Sequence, residues 1–289
     1  MAVRHDNSSA SPPGGATPTA QPREKLGLIA GHGRFPITLA QAARDKGYEV
    51  VAVAIESEAS QELSQYVDRI VWVGIGSLTK AIETFRAEGV RELVMAGKVQ
   101  KSRIFELEGM EKRLQETVGK VRHRGDDAIL RAIAGELERS GLRVRESASF
   151  MGPFIPQEPA VLTRRRPDSR EQGDVDFGVQ VARQMADIGI GQTVVVKSGV
   201  IVSVEAMEGT DSTIQRAGAC GGRGTVVVKM SGPNQDTRFD LPVVGLRTLE
   251  VLGEAGASVL AIEAGRTVVL DRAEVVRQAD ATGLALVAV

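Results

Sequence analysis

The chain is poor in the side chains that most hydrolases use for catalysis. Its three histidines, His5, His32 and His123, lie far apart in the sequence. This scarcity excludes a histidine-rich dimetal phosphoesterase site and argues against a Ser-His-Asp triad. The single cysteine, Cys220, cannot form an intrachain disulfide, which is typical of a protein from a reducing compartment.

The chain also has few aromatic residues, almost no net charge and no long apolar run. Aromatics make up only 3% of the chain, which argues against platforms for base stacking. The 36 basic and 37 acidic residues nearly cancel, so nothing indicates bulk electrostatic binding to nucleic acid or an anionic membrane. No run approaches the roughly 18 apolar residues of a membrane span. We therefore expect a cytoplasmic protein.

The length and texture of the chain predict two domains after a tail. At 289 residues the chain is long for one compact core. Residues 1–25 are rich in Ser, Pro, Ala, Thr and Gly and have no apolar h-region, so we predict a disordered tail rather than a secretory signal. We expect an N-terminal domain with a helical extension over residues 26–150 and a catalytic domain over residues 151–289.

Short apolar runs alternate with helical patterns in the first domain. The predicted strands cover 26–30, 50–55, 70–73 and 93–96, with helices over 37–46, 78–88 and about 110–140. Such alternation indicates βαβ units and a parallel, Rossmann-like sheet.

The second domain lacks this regular alternation of strands and helices. Val-rich strands are predicted at 193–197, 200–205, 225–230 and 267–270, with helices at 175–188, 246–254 and 272–281 and a connecting loop at 164–173. The predicted fold class is thus α/β, a Rossmann-like domain followed by a mixed α+β domain.

A glycine turn follows the first predicted strand. Gly31 and Gly33 stand before a helix, where backbone N–H groups can hold a phosphate. The third glycine of a dinucleotide fingerprint is replaced by Pro36, which suits the first position of a helix. Nicotinamide binding, another phosphate or nucleotide contact, and a purely structural turn all stay open. His32, within the turn, is either a surface residue or a substrate contact.

Two further places offer charged residues near predicted strand or helix ends. Lys98 ends the fourth strand, where ligands of open α/β sheets bind, so it either meets an anionic group or is a plain surface lysine. Asp126 or Asp127 can simply cap the next helix. Alternatively, Arg124 and Asp127 line a cleft between the domains.

Carboxylates concentrate at two places in the second half. Glu205, Glu208 and Asp211 fall within seven residues around a turn at Gly209. Carboxylates this close repel unless they are solvated or bridged by a cation. The alternative is that Thr210 and Asp211 only cap the following helix.

The second acidic stretch places Asp236 and Asp240 on either side of Arg238. This pattern indicates phosphate and metal handling, or else a structural Arg–Asp pair. Oxygen-rich clusters suit Mg²⁺, which prefers carboxylates, water and substrate phosphate. We therefore predict Mg²⁺ as cofactor, with candidate ligands Glu205, Glu208, Asp211 and Asp240.

Several segments, in order, resemble the LpxI-type UDP-2,3-diacylglucosamine pyrophosphatases of lipid A biosynthesis. The resemblance covers residues 26–289, and the motifs of the second half are the specific ones. The segments are Gly27-Leu28-Ile29-Ala30-Gly31-x-Gly33-x-x-Pro36, Ala96-Gly97-Lys98-Val99, Arg124-Gly125-Asp126-Asp127, Glu205-Ala206-x-Glu208-Gly209-Thr210-Asp211, Gln235-Asp236-x-Arg238-Phe239-Asp240-Leu241-Pro242-x-x-Gly245 and Glu263-Ala264-Gly265. The chain departs from the family pattern at two places. His32 stands where a small residue is expected, and residues 229–233 replace what resembles a more basic run in the family.

The resemblance implies a specific reaction. The family hydrolyses the pyrophosphate of UDP-2,3-diacylglucosamine with Mg²⁺, which gives UMP and 2,3-diacylglucosamine 1-phosphate. Its members hold the lipid between two domains and form homodimers, and a lipid-linked substrate leaves peripheral contact with the inner membrane open. A Rossmann-type oxidoreductase and a non-catalytic nucleotide-sugar or lipid carrier are the competing interpretations, and no nucleic-acid partner is expected.

Within this interpretation each candidate residue has a predicted role. Asp240 is the first choice for the essential carboxylate, as Mg²⁺ ligand or as the group that orients the attacking water; Glu208 and Asp211 come next. Arg238 and Lys229 would offset charge that develops on the pyrophosphate. The other candidate substrate-binding residues are Gly31, Gly33, Lys98, Arg124, Asp127, Thr210 and Gln235. An apolar groove for the acyl chains is expected from Phe150, Met151, Phe154 and Ile155.

Overall fold

A computed structural model describes residues 23–99, 111–121, 126–232, 236–238 and 241–289 of the chain. The predicted tail at 1–25 lies outside the described residues except for its last three positions. Three predicted site residues, Arg124, Gln235 and Asp240, also lie outside them, as does the side chain of Asp127.

A parallel sheet forms the N-terminal half of the described chain. Its strands are β1 (Lys25–Ala30), β2 (Glu49–Ile55), β3 (Arg69–Val73), β4 (Glu92–Ala96) and β5 (Arg143–Val144). Their order across the sheet is β3-β2-β1-β4-β5, and each neighbouring pair is parallel. The order changes direction between β1 and β4, which opens a crevice at the carboxyl ends of these two strands.

Helices cover both faces of this sheet, which explains why its central strands are apolar on both sides. Leu26 and Leu28 of β1 lie in one cluster, while the partly buried Ile29, which follows Leu28, packs against the other. The helices are α1 (Phe35–Asp45) and α5 (Ala148–Met151) on the first face, and α2 (Leu78–Ala87), α3 (Lys112–Gly119) and α4 (Asp126–Arg139) on the second.

The C-terminal half is built on a mixed sheet. Its strands are β6 (Ala160–Val161), β7 (Thr193–Lys197), β8 (Val200–Val204), β9 (Val226–Lys229), β11 (Val259–Ile262) and β13 (Ala285–Ala288). They are arranged β6-β13-β11-β9-β7-β8. Strands β9, β11 and β13 are parallel, whereas β7 is antiparallel to both of its neighbours. The carboxyl ends of β8 and β9 and the start of β7 therefore meet at one edge.

Four helices among the described residues enclose this mixed sheet. One face packs against α6 (Ser169–Asp187), and the other against α7 (Gly209–Gly221), α8 (Leu246–Ala255) and α9 (Arg272–Thr282). A short parallel pair, β10 (Val243–Val244) with β12 (Val268–Val269), lies beside the sheet. No helix among the described residues is long and apolar enough to cross a membrane.

The predicted fold class is confirmed, with three corrections to its details. Segment 164–173 is not all loop, because α6 begins at Ser169, where Asp168 and Glu171 form a capping box. Strands β11 and β13, which the sequence prediction omitted, lie in the middle of the second sheet. Helices α8 and α9 connect β9, β11 and β13, so this half does contain βαβ units.

The two halves share an apolar cluster. Leu241, Val268 and Leu270 of the second half are buried in the same cluster as Ile37 of α1. Contact between the halves also includes a salt bridge of 3.3 Å between Arg34 and Asp271.

The predicted acyl groove is filled in this structure. Phe150, Met151 and Ile155 are buried in the shared cluster, and Phe154 is partly buried against it. Phe150 is also held by an edge-on contact with Tyr48, with ring centroids 5.7 Å apart. These four residues pack the core rather than line an open groove, so that prediction is wrong for this structure.

Candidate active site

The turns that follow β1 and β4 are joined to each other at the crevice. The Gly31 N–H donates to the Ala96 carbonyl at 2.8 Å, and His32 and Lys98 exchange backbone hydrogen bonds of 2.6 and 3.0 Å. The N–H groups of Gly31 and His32 are thus already used inside the protein. A phosphate contact at this turn would have to use Gly33 or Lys98 instead.

Close approach of the two turns requires glycine on both sides. A Cβ on Gly31 would lie 2.5 Å from the Lys98 carbonyl oxygen. Gly97 has φ +89°, and a Cβ there would lie 2.7 Å from the Gly31 carbonyl carbon. The glycines therefore have a structural role, which brings Lys98 to the mouth of the crevice.

A buried polar cluster lies at the strand edge of the C-terminal half. Lys229 ends β9 and faces Thr193 of β7 in the register, and Glu205 directly follows β8. Only 5% of Lys229 and 8% of Glu205 are exposed. Thr210, in the first turn of α7, completes the group, and we call these four residues the Lys229 cluster.

Hydrogen bonds hold the Lys229 ammonium inside this cluster. The Nζ donates to the Thr210 hydroxyl at 2.8 Å and to the Thr193 hydroxyl at 3.4 Å. The Thr210 hydroxyl in turn donates to Glu205 Oε1 at 3.0 Å, and Glu205 Oε2 lies 4.0 Å from the Nζ. Oε2 is buried and has no hydrogen-bond partner among the described residues.

The charge state of Glu205 reflects both halves of the protein. Burial alone would raise the pKa of the Glu205 carboxyl, but the charge of Lys229, the hydroxyls of Thr193 and Thr210 and the charge of Lys98 together outweigh this effect. The net pKa is lower than the usual value, so Glu205 is ionised at neutral pH. Lys98 of the first half and Lys229 of the second thus act on one carboxylate, and the local excess of positive charge favours an anionic ligand.

The other two acids of this stretch point to different partners. Glu208 pairs with Arg216 and accepts from the Thr213 hydroxyl at 3.3 Å. Its own backbone N–H and Arg216 hold the pKa of Glu208 below its ordinary value against the effect of burial. Asp211 lies 3.6 Å from Arg247 on the surface. Glu205, Glu208 and Asp211 therefore do not converge on one point.

No group of three or more His, Cys, Asp or Glu among the described residues is arranged to hold a metal ion. Asp240, the fourth predicted ligand, lies outside that part of the chain. Mg²⁺ usually keeps several waters and uses one or two carboxylates together with substrate phosphates. The described donors therefore fit an ion carried mainly by a phosphate ligand better than a protein cage, and Mg²⁺ itself stays a prediction.

Arg238 connects the second acidic stretch to the first half. Its guanidinium pairs with Asp236 at 2.7 Å and with Glu138 of α4 at 2.8 Å. The hydrogen bond from Arg238 holds the pKa of Asp236 below its usual range, and Asp236 raises the pKa of Arg238. The structural Arg–Asp pair exists, and it anchors residues 236–238 to α4. A substrate contact of Arg238 remains a prediction.

Thr193 was not predicted as a site residue. Its only sequence signal is that it begins a Val-rich run, which is typical of a strand and not of a binding site. What gives it a role is the pairing of β7 with β9, which places it opposite Lys229. Fully buried threonines need a hydrogen-bond partner, and here the ammonium supplies one.

Comparison with known proteins matches both halves to one family. Residues 25–154 match the LpxI N-terminal domain and residues 158–287 match the LpxI C-terminal domain. The chain is 34% identical over 271 residues to UDP-2,3-diacylglucosamine pyrophosphatase LpxI of Caulobacter vibrioides. The alignment covers 90% of this chain and 95% of that protein.

Solved structures give only distant matches. Phosphoribosylglycinamide synthetase from Anaerococcus prevotii is 12% identical with a TM-score of 0.26, over 63% of this chain and 38% of that chain. N5-carboxyaminoimidazole ribonucleotide synthetase in complex with ADP is 11% identical with a TM-score of 0.27, over 72% and 47%. The chain spans less than half of either structure, and matches at this level carry no inference about it.

Proposed function

The chain belongs to the LpxI family, and on that basis we propose that it hydrolyses the pyrophosphate bond of UDP-2,3-diacylglucosamine in lipid A biosynthesis. The products would be UMP and 2,3-diacylglucosamine 1-phosphate. The observation that carries the proposal is 34% identity, across both halves of the chain, to a relative named for this activity. The charges of Lys98 and Lys229, which both act on Glu205, support it, because a pyrophosphate needs such cations.

We assign the pyrophosphate to the space between Lys98 and the Lys229 cluster. Lys229 is withdrawn from water, where its charge acts on phosphate oxygens more strongly than it would in solvent. Glu205 and the two threonines orient the ammonium before substrate arrives, so little reorganisation is needed during the reaction. Lys98 is exposed at the crevice and would neutralise the phosphate from the side of the first half.

Magnesium and the attacking water are assigned from the sequence. Mg²⁺ would neutralise phosphate oxygens and lower the pKa of a bound water. We propose that Asp240 orients the attacking water or binds the metal. Glu205 would be a supporting ligand, since Oε2 has no hydrogen-bond partner among the described residues. For Glu208 and Asp211 a role in metal binding would require them to leave Arg216 and Arg247.

The remaining proposals also rest on family membership. We propose a homodimer that acts in the cytoplasm and meets its lipid at the surface of the inner membrane. The lipid nature of the proposed substrate supports contact with the membrane. Because the net charge is near zero, this contact would be made by apolar side chains rather than by charge.

The test is a product assay on the purified chain. UDP-2,3-diacylglucosamine is incubated with Mg²⁺ or with EDTA, and UMP and the lipid monophosphate are measured by mass spectrometry. We expect equal amounts of both products with Mg²⁺ and a large loss with EDTA. Binding of the substrate without UMP release would instead identify a carrier.

The role of Asp240 is tested in the same assay. Asp240→Asn removes the proposed ligand charge at constant size, and Asp45→Asn, on the exposed end of α1, is the matched control. We expect Asp240→Asn to lose on the order of a hundredfold or more in kcat and the control to lose none. Equal turnover by the two variants would remove Asp240 from the mechanism.

A further inference from the structure

Three large apolar side chains lie exposed on two neighbouring loops. Ile188 is 71% exposed and Ile190 is 44% exposed, and both follow the end of α6. Met207, between β8 and α7, is 58% exposed. We call these three residues the apolar rim.

The two loops are fixed to each other beside the Lys229 cluster. The backbone of Gly191 packs so closely on Glu205 that a Cβ on this glycine would lie 2.2 Å from the Glu205 carbonyl oxygen. The Glu205 N–H also donates to the Thr193 carbonyl at 2.8 Å. Ile190 precedes this contact and Met207 follows it by two residues. The apolar rim is therefore next to the proposed active site.

We propose that the apolar rim docks the enzyme on the surface of a lipid bilayer. The proposal rests on the proposed function, under which the substrate carries two acyl chains. Each additional methylene group lowers the partition constant of a lipid from the bilayer into water roughly fourfold. A substrate with two long acyl chains therefore does not leave the membrane freely. An enzyme for such a substrate gains by holding its active site against the bilayer, and the rim is the apolar surface at that place.

Area favours a bilayer over a second copy of the chain. A stable protein interface buries about 800 Å² on each partner, far more than three partly exposed side chains supply. A bilayer sets no such minimum, because a few apolar side chains can enter the headgroup region one by one. The net charge of −1 provides no general attraction to anionic lipid. The docking should therefore work on neutral membranes.

Flotation with neutral phosphatidylcholine vesicles tests the docking surface. Ile188→Asp and Met207→Asp place a charge in the rim, and Val200→Asp is the control, since Val200 is 63% exposed at the opposite end of β8. Loss of one buried apolar side chain should lower vesicle binding more than about tenfold, while the control should bind as the wild type does. Thermal melts establish that all three variants are folded.

A kinetic comparison separates this proposal from the proposed function. Hydrolysis is measured with UDP-2,3-diacylglucosamine in vesicles and with a short-chain, water-soluble analogue. The rim variants should be slower only on the vesicle substrate. If the wild type hydrolyses neither substrate, the proposed function fails, and flotation still decides the docking surface.

Three outcomes would overturn the docking surface. One is unchanged flotation of both rim variants. The second is a sedimentation coefficient of a rim variant that differs from the wild-type value, which would identify the rim as a contact between two copies of the chain. The third is an equally raised KM for the soluble analogue, which would identify the rim as part of the substrate pocket.

Discussion

Lys229 and Glu205 form a buried ion pair, with Nζ 4.0 Å from Oε2 and the Thr210 hydroxyl between Nζ and Oε1. Both residues come directly from strand ends, so the sheet fixes their backbones. Withdrawing two charges from water is costly, and proteins often tolerate such pairs for a purpose other than stability. Here the pair holds a buried cation beside Glu205, a carboxylate on which the charge of Lys98 also acts.

Removing the cation from this pair should destabilise the protein. Lys229→Met leaves Glu205 buried without its main counter-charge, and we expect a loss of roughly 3 kcal/mol in the free energy of unfolding. Urea denaturation measures it. The double variant Glu205→Gln/Lys229→Met should lose less than the sum of the single variants. Wild-type stability of Lys229→Met would show that the pair is not coupled.

The same pair predicts a pH dependence of stability. The folded-state pKa of Glu205 is below its reference value of 4.5, so the stabilisation is present above about pH 4.5 and is lost as pH falls through the folded pKa. Glu205→Gln should flatten this acid limb in a series of melting temperatures. Parallel curves for the variant and the wild type would exclude Glu205 as its source.

The joined turns predict a strict need for glycine at position 31. In Gly31→Ala the new methyl group would meet the Lys98 carbonyl, and we expect a loss of about 2 kcal/mol in unfolding free energy. Gly253→Ala in α8 is the matched control, because a Cβ there meets nothing within 4 Å. The control should gain up to about 1 kcal/mol from helix propensity. Equal stability of the two variants would show that the turns can separate freely.

Arg238 contacts α4, and a second role, in substrate binding, is predicted for it. Its pair with Glu138 is partly exposed, and either single alanine variant should cost no more than about 1 kcal/mol of stability. For activity, Arg238→Ala should lose at least about tenfold in kcat/KM if the arginine contacts phosphate, whereas Glu138→Ala should change little. Equal losses would assign Arg238 to the α4 contact alone.

The fold could be predicted from the sequence where hydrophobic periodicity is local. The alternation of 26–30 with 37–46 and 50–55 indicates βαβ units, and the structure has them there. By contrast, the predicted helix 175–188 begins six residues after the start of α6. Its first two turns carry Ser169, Arg170 and Gln172, which are polar and exposed, so only the capping box marks them as helix.

The candidate site was only partly predictable, because it depends on pairing between distant strands. Lys98 is a candidate from sequence because it ends the fourth predicted strand, where ligands of open α/β sheets bind. Thr193 is not, since its role comes from its register with Lys229. Equally, sequence spacing groups Glu205 with Glu208 and Asp211, but α7 begins between them and turns the last two toward Arg216 and Arg247.

Turnover by Lys98→Met tests most directly whether the pyrophosphate is hydrolysed between the two lysines. Lys98 is exposed, so the substitution should leave stability unchanged; Lys112→Met, with a side chain 89% exposed on α3, is the control. We predict that Lys98→Met lowers kcat/KM for UMP release on the order of a hundredfold, while Lys112→Met stays at the wild-type value. Equal kcat/KM for the two variants would contradict the proposed site.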